Sequence, residues 1–195
     1  MLFSDGGKVT RFAETDVRAM GRTARGVRGM RLPEEQKLIS MIIPEEDSEI
    51  LTASERGYGK RTAITEFPNY RRGGQGVIAM VSNERNGKLV GAIQVLDGEE
   101  IMLISDQGTL VRTRVDEVSS LSRNTQGVML IRLAKDESLV GLERVQDPAD
   151  SDEDEELAES ELGATEPVNA AADADHEDVS SGPETLTDES SNPQE

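Results

Sequence analysis

The chain has 195 residues, a formal net charge of −18 at pH 7, no cysteine, no tryptophan, two tyrosines and three phenylalanines. Its single histidine, His176, lies in an acidic C-terminal segment, so a histidine-based catalytic pair or triad is excluded from the rest of the chain. Because no apolar run approaches the roughly 20 residues of a membrane helix and the N-terminus lacks a signal-peptide pattern, we expect a soluble cytoplasmic protein.

The sequence repeats itself three times. "MLFSDGGKVTRF" at Met1 aligns with "LTASERGYGKRT" at Leu51 and "MLISDQGTLVRT" at Met102. Equivalent serines, acids, glycines and arginines recur in all three segments: Ser4/Ser54/Ser105, Asp5/Glu55/Asp106, Gly7/Gly57/Gly108 and Arg11/Arg61/Arg112. A second column follows in the same register, Arg22/Arg72/Arg123 and then Gly26/Gly76/Gly127. This periodicity predicts repeated units at 1–48, 49–98 and 99–146.

Each repeat predicts β structure. In the third repeat, "EIMLIS" and "TLVRT" flank a turn at Gly108, which is typical of a hairpin. "GVMLIRL" and "SLVGLERV" predict a second pair around 134–137, and "GVIAMVS" and "KLVGAIQV" do so in the second repeat around 83–87. The segment "RVDEVSSLSRNTQ" has room for one helical turn, and the run 101–104 predicts a strand that is buried on both faces.

Four strands in each unit of about 50 residues indicate an all-β, propeller-like array of blades whose faces are buried by their neighbours. Three blades do not close a ring, and the first residues already belong to a strand. We therefore expect this chain to be part of a longer array.

The C-terminal segment 147–195 predicts a disordered tail. Residues 146–195 contain 18 acids and no lysine or arginine, which leaves 21 acids and 21 bases in residues 1–145. So little apolar surface does not offset the entropy that ordering would cost. Such a tail either keeps the protein in solution or competes for a basic surface.

The sequence offers no catalytic site. The repeated serines fit turn positions, where hydroxyls bond to nearby backbone groups. Asp152–Asp154 would make only a loose cation site. The stretch "NYRRGGQGVIAM" at Asn69 fits a phosphate-cradling loop, an RNA-binding patch or a turn that leads into a strand, but it lacks the Lys-Ser/Thr ending of a phosphate loop. Few aromatic residues argue against base stacking, and we expect Tyr70 to pack within its blade and Tyr58 to belong to a hairpin.

Long motifs in order carry a resemblance to a known family: "FSDGGKVTRF", "VRAMGRTARGVRGMRL", "ILTASERGYGKRTAITEFP", "ERNGKLVGAIQV", "GTLVRTRVDEVSSLSRNTQGVMLIRL" and "LVGLERV". From residue 1 to about 146 the chain resembles the C-terminal domain of DNA gyrase A subunits, and the acidic tail fits the family as well. The resemblance implies the last three blades of a six-bladed β-pinwheel, around whose basic rim duplex DNA wraps. The family's hallmark box, Gln-Arg/Lys-Arg-Gly-Gly-Lys/Arg-Gly, is matched here only in a degenerate form, Tyr70–Gly76, with Tyr70 and Gln75 at the positions of the glutamine and the second basic residue.

The resemblance further implies a non-catalytic part of a type II topoisomerase that introduces negative supercoils at the expense of ATP. The chain itself would need no cofactor, whereas ATP and Mg²⁺ would act elsewhere in the holoenzyme. Expected partners are duplex DNA, the gyrase B subunit, plus a second gyrase A chain in an A2B2 assembly at the bacterial nucleoid. The alternatives are the equivalent domain of topoisomerase IV and a propeller scaffold that binds proteins.

Rows of arginine suit binding to the DNA backbone without reading of the base sequence. Seven bases lie between Lys8 and Arg31, a group that also includes Arg18. Pairing of these side chains with carboxylates of the blades is the structural alternative. The predicted DNA-binding residues are Arg11, Arg22, Arg25, Arg28, Arg31, Lys60, Arg61, Arg71, Arg72, Arg112, Arg114 and Arg123.

Overall fold

The computed structural model describes residues 1–145, which form eleven β-strands and three single-turn 3-10 helices. The strands are β1 (Leu2–Ser4), β2 (Lys8–Thr10), β3 (Leu38–Met41), β4 (Glu49–Ser54), β5 (Tyr58–Ala63), β6 (Val77–Ile78), β7 (Leu89–Val95), β8 (Glu100–Ser105), β9 (Leu110–Arg114), β10 (Val128–Met129) and β11 (Leu139–Val145). The helical turns are Glu14–Asp16, Ile64–Glu66 and Val115–Glu117. The all-β prediction and the helical turn in each repeat are confirmed, and the predicted tail at 147–195 lies outside the described residues.

Each repeat builds one antiparallel hairpin, as its sequence predicts: β1–β2, β4–β5 and β8–β9. The turn glycines Gly7, Gly57 and Gly108 have φ angles of 77°, 77° and 85°, which side chains with a Cβ rarely adopt. A Cβ on Gly57 would also collide with the carbonyl oxygen of Ile131. At Gly57 a glycine is therefore required both by the turn and by the close approach of the next repeat, whereas at Gly108 only the turn requires it.

The second hairpins predicted in the second and third repeats are wrong. β7 pairs with β4 and β11 pairs with β8, but β6 pairs with β2 of the first repeat and β10 pairs with β5 of the second. The sheet orders are therefore β3-β1-β2-β6, β10-β5-β4-β7 and β11-β8-β9. This exchange covers the outer edges of β2 and β5, which a hairpin within one repeat would leave with unpaired backbone groups. It also ties neighbouring repeats together through main-chain hydrogen bonds.

The hydrophobic core lies between successive sheets. One cluster contains Phe3, Val9 and Ile50 together with Ile64 and Phe67 from the segment after β5. The rings of Phe3 and Phe67 meet edge to face, with centroids 6.4 Å apart, an arrangement that aromatic pairs favour. The expectation that blades bury one another's faces is thus confirmed.

A second cluster joins the second and third repeats through Leu51, Ile101, Leu103 and Val115. Along β8, Ile101 and Leu103 are fully buried, whereas Met102 and Ile104 are only partly buried. The predicted burial of this strand on both faces is therefore wrong, since alternate side chains face the less crowded side of the sheet.

Candidate nucleic-acid interface

In the first arginine column (Arg11, Arg61 and Arg112), the first two side chains bind backbone carbonyl oxygens of the following repeat. Arg11 Nη1 donates hydrogen bonds to the carbonyl oxygens of Ile64 and Phe67, at 3.0 and 3.1 Å. One repeat later, Arg61 Nε donates to the carbonyl oxygen of Val118 at 2.8 Å. Both guanidinium groups thus bind the helical turn of the following repeat, and they point into the protein rather than toward solvent.

Arg61 is also neutralised by carboxylates. Its Nη1 lies 2.9 Å from Glu49 Oε2 and 2.6 Å from Asp97 Oδ1, and its side chain is only 12% exposed. The third member of the column, Arg112, is 59% exposed and forms an ion pair with Glu100 across the β8–β9 hairpin. Arg114 is exposed at the end of the same strand, opposite Glu100. Carboxylate pairing, the structural alternative, therefore describes Arg61 and Arg112, and carbonyl oxygens bind Arg11, so this column is not a row of free cations.

Lys60 belongs to the predicted DNA contacts, but the structure buries it completely. Its Nζ donates to the carbonyl oxygen of Ser122 at 2.6 Å. The pKa of Lys60 is lowered to about 8, chiefly by burial; Glu66 opposes the shift, and Arg123 contributes a smaller part of it. Lys60 therefore anchors the loop of the third repeat and presents no charge at the surface.

In the second arginine column (Arg22, Arg72 and Arg123), Arg72 and Arg123 bind equivalent carbonyl oxygens. Arg72 Nη1 donates to the carbonyl oxygen of Arg28 at 3.3 Å, and Arg123 Nη1 donates to the equivalent carbonyl of Ile78 at 3.2 Å. Arg72 Nε also donates to the carbonyl oxygen of Asp16 at 2.9 Å. Arg72 and Arg123 are half-buried, whereas Arg22 is exposed. This column therefore holds the loops of neighbouring repeats together at the protein surface.

Two arginine-rich loops are joined by these contacts. Gly73 N donates to the carbonyl oxygen of Gly29 at 2.6 Å, and Arg31 N donates to that of Gly74 at 2.8 Å. Neither 17–31 nor 67–76 contains an acidic residue. We call the resulting patch the basic surface; its members are the exposed Arg18, Arg22, Arg25, Arg28, Arg31 and Arg71 and the half-buried Arg72.

The predicted contacts Arg22, Arg25, Arg28, Arg31, Arg71 and Arg72 lie on these two joined loops. The side chains of Arg11, Lys60 and Arg61 instead bind carbonyl oxygens of the protein. Arg18 also belongs to the surface but is absent from the predicted contact set. Its place in the acid-free run with Arg22 and Arg25 was the signal available in the sequence. In the third repeat the corresponding loop, 118–127, contains only one base, Arg123, so the run of arginines does not continue there.

The stretch "NYRRGGQGVIAM" is a turn that leads into a strand, β6. Gly76 has a φ of 71°, and a Cβ there would collide with the carbonyl oxygen of Val9. Tyr70 is 55% exposed, so the prediction that it packs within its blade is wrong. Tyr58 does belong to a hairpin strand, and the guanidinium of Arg85 lies 4.7 Å from its ring centroid.

Comparison with known proteins assigns the family. The sequence model described as "DNA gyrase C-terminal domain, beta-propeller" matches residues 1–45, 48–95 and 99–146. The chain belongs to the DNA gyrase C-terminal domain family. The family's β-propeller description agrees with the three sheets and with the repeats found in the sequence.

Relatives and solved structures agree with the family. The chain is 67% identical to the DNA gyrase A subunit of Pseudomonas aeruginosa and 51% identical to that of Escherichia coli, in both cases over 91% of this chain. It spans only 19% and 20% of the length of these relatives. A solved DNA gyrase A C-terminal domain is similar with a TM-score of 0.67 and 30% identity, over 74% of this chain and 50% of that one. The C-terminal domain of DNA topoisomerase IV shares the fold, with a TM-score of 0.71 and 23% identity over 84% of this chain and 51% of that one.

No helix in residues 1–145 is long and apolar enough to cross a membrane.

Proposed function

We propose that this chain binds duplex DNA along its sugar-phosphate backbone and forms a DNA-wrapping part of a gyrase A subunit. The observation that carries the proposal is the junction of two arginine-rich loops, 17–31 and 67–76, neither of which contains an acidic residue. Duplex DNA carries one negative charge per about 1.7 Å of its axis. Backbone contacts of this kind position a duplex without reading its sequence.

The linkage between successive sheets supports wrapping rather than simple binding. Neighbouring sheets are joined by β6 and β10, so each loop that precedes an exchanged strand is held against the preceding repeat. DNA that follows these loops passes from one blade to the next, and a longer array would extend the path.

The remaining parts of the activity belong to the longer protein. We propose that the chain supports ATP-dependent negative supercoiling by a type II topoisomerase in the bacterial cytoplasm, associated with the nucleoid. The gyrase B subunit, together with a second gyrase A chain, would complete an A2B2 assembly, and ATP and Mg²⁺ would bind outside this chain. The described residues would supply only the surface on which the DNA segment is presented.

Fluorescence anisotropy with two duplexes of unrelated sequence tests DNA binding. We expect similar affinity for both, and a logarithm of the binding constant that falls with the logarithm of salt concentration by about 0.9 for each phosphate contact. The combined substitution Arg22→Ala, Arg25→Ala and Arg28→Ala should lower that slope by about 2 to 3. The matched control removes Arg132, Lys135 and Arg144, three exposed bases of the third repeat, and should leave the slope nearly unchanged.

DNA wrapping is measured separately, by its effect on the linking number of a circular DNA. A nicked circular DNA that is ligated in the presence of the full chain should show a shifted distribution of linking number, and the triple variant should shift it less. Salt-independent binding would contradict backbone binding and favour the protein-binding scaffold. A strong preference for one of the two sequences would also contradict it and indicate readout of the bases.

A further inference from the structure

A cleft lies beside the basic surface on the first repeat. Its volume is about 310 Å³, and its polar lining consists of Lys8, Arg31, Gln36 and Gln75. The apolar part of the lining consists of Met30, Leu32 and Pro33. Two cations and two amides beside an apolar floor suit a ligand that is anionic at one end and apolar at the other.

The polar groups of the cleft come from different elements that the fold holds in place. Lys8 is on β2, where it pairs with Ile78. Gln75 directly precedes Gly76 and the exchanged strand β6. Ser4 Oγ donates to Gln36 Oε1 at 3.4 Å, which directs the Nε2 amide of Gln36 toward other acceptors. Arg31 N is bound to the carbonyl oxygen of Gly74, so Arg31 belongs both to the cleft and to the basic surface.

The second repeat fills the corresponding place with its own side chain. Tyr58 and Gln126 stand at the positions of Lys8 and Gln75. Arg85 lies over the Tyr58 ring at 4.7 Å, and its Nη1 is 3.4 Å from Gln126 Oε1. Asn86 Nδ2 donates to the carbonyl oxygen of Gln126 at 3.2 Å and closes the same place further. In the second repeat, the guanidinium of Arg85 therefore occupies the place that is an open cleft in the first repeat.

We propose that the cleft between Lys8, Arg31, Gln36 and Gln75 is a seat for one deoxyribose-phosphate unit of duplex DNA. Lys8 and Arg31 contact the phosphate oxygens, the amides of Gln36 and Gln75 donate further hydrogen bonds, and the sugar packs on Met30 and Pro33. The seat extends the basic surface toward the hairpin turn of the first repeat. The second repeat lacks this seat, because Arg85 closes the corresponding place.

The inference rests on the proposed function, and the experiment keeps the two apart. Anisotropy with a duplex is measured over a range of salt for the full chain and for Lys8→Ala, Gln75→Lys and Lys135→Ala. Lys8→Ala should weaken binding roughly three- to tenfold and lower the salt slope by about 0.9, the value for one lost phosphate contact. Gln75→Lys adds a cation to the cleft and should raise the slope by about the same amount.

Lys135→Ala removes one exposed base from the third repeat and should change neither value. Lys8→Arg, which keeps the charge, should bind like the unmodified chain and shows whether Lys8→Ala acts through misfolding. Isothermal titration with inorganic phosphate alone separates the two sources of phosphate. We expect no measurable heat of binding, and tight binding of the free ion that is lost in Lys8→Ala would identify a site for free phosphate instead.

Unchanged binding and slope in both Lys8→Ala and Gln75→Lys, with weakened binding in the Arg22/Arg25/Arg28 variant, would overturn the seat and leave the proposed function intact. Failure of the unmodified chain to bind duplex would overturn both.

Discussion

Arg123 donates a hydrogen bond from Nη1 to the carbonyl oxygen of Ile78 at 3.2 Å. The donor lies in the third repeat and the acceptor at the end of β6, which belongs to the second repeat in sequence and to the first sheet in space. A residue that the sequence alone would assign to DNA binding therefore also fastens three repeats together.

Replacing the arginines of the second column one at a time should separate binding from stability. Arg22→Ala should weaken DNA binding and leave the free energy of unfolding unchanged, because Arg22 is exposed. Arg123→Ala should lower the free energy of unfolding by about 1.5–3 kcal/mol, since it removes a hydrogen bond from a charged donor. Urea unfolding and duplex anisotropy measure the two effects; equal stability of both variants would contradict a structural role for Arg123.

Arg61→Met should be among the most destabilising arginine substitutions. It removes a hydrogen bond to Val118 and leaves Glu49, which is largely buried, without its partner, so a loss of about 2–4 kcal/mol is expected. Arg112→Met at the equivalent exposed position is the matched control and should cost less than about 1 kcal/mol. Similar urea midpoints for the two variants would show that the contact of Arg61 with the following repeat contributes little.

Lys60 should make stability depend on alkaline pH. Its folded-state pKa of about 8 lies below the ordinary 10.5, so folding favours the neutral amine. The cost of burying the charge is fully present below about pH 8 and is relieved as the pH rises toward 10.5, a gain on the order of 3 kcal/mol. Over that range the free energy of unfolding should rise relative to that of Lys60→Met; parallel curves from urea unfolding would show that the amine stays charged.

Two glycines of the stretch 69–80 should respond differently to alanine. Gly76→Ala forces a Cβ against Val9 at a positive φ and should cost roughly 1–3 kcal/mol. At Gly74 the nearest heavy atom is 3.9 Å from the Cβ position, so Gly74→Ala should be nearly neutral. Thermal unfolding compares the two, and equal melting temperatures would argue against the close packing of the turn on β2.

Deletion of 147–195 should strengthen DNA binding at low salt. The segment carries acids without compensating bases, and tethering gives it an effective concentration that reaches about the millimolar range. We expect the difference from the full chain to shrink as salt rises, because screening weakens competition for the basic surface. Anisotropy over a salt series measures the difference in affinity. Identical binding curves with and without the segment would show that the segment does not compete with DNA.

The sequence by itself determined the local features of this protein. Aligned serines, glycines and arginines predicted three repeats, and strand-like runs on both sides of a turn glycine, as around Gly108, predicted a hairpin in each repeat. These features depend on contacts between residues close in the chain, where turn geometry and side-chain period leave few alternatives.

Only the tertiary structure decided how the repeats connect and which arginines face solvent. The pairing of β6 with β2, rather than with β7, depends on covering an exposed strand edge in a neighbouring sheet, and short strands such as Val77–Ile78 carry no signal for their partner. Likewise, Arg11, Arg61 and Arg72 recur at the same spacing as arginines that are exposed, so the sequence does not distinguish the two groups. Their burial depends on carbonyl oxygens that the next or the preceding repeat brings within 3.5 Å, and those contacts exist only once the sheets have packed together.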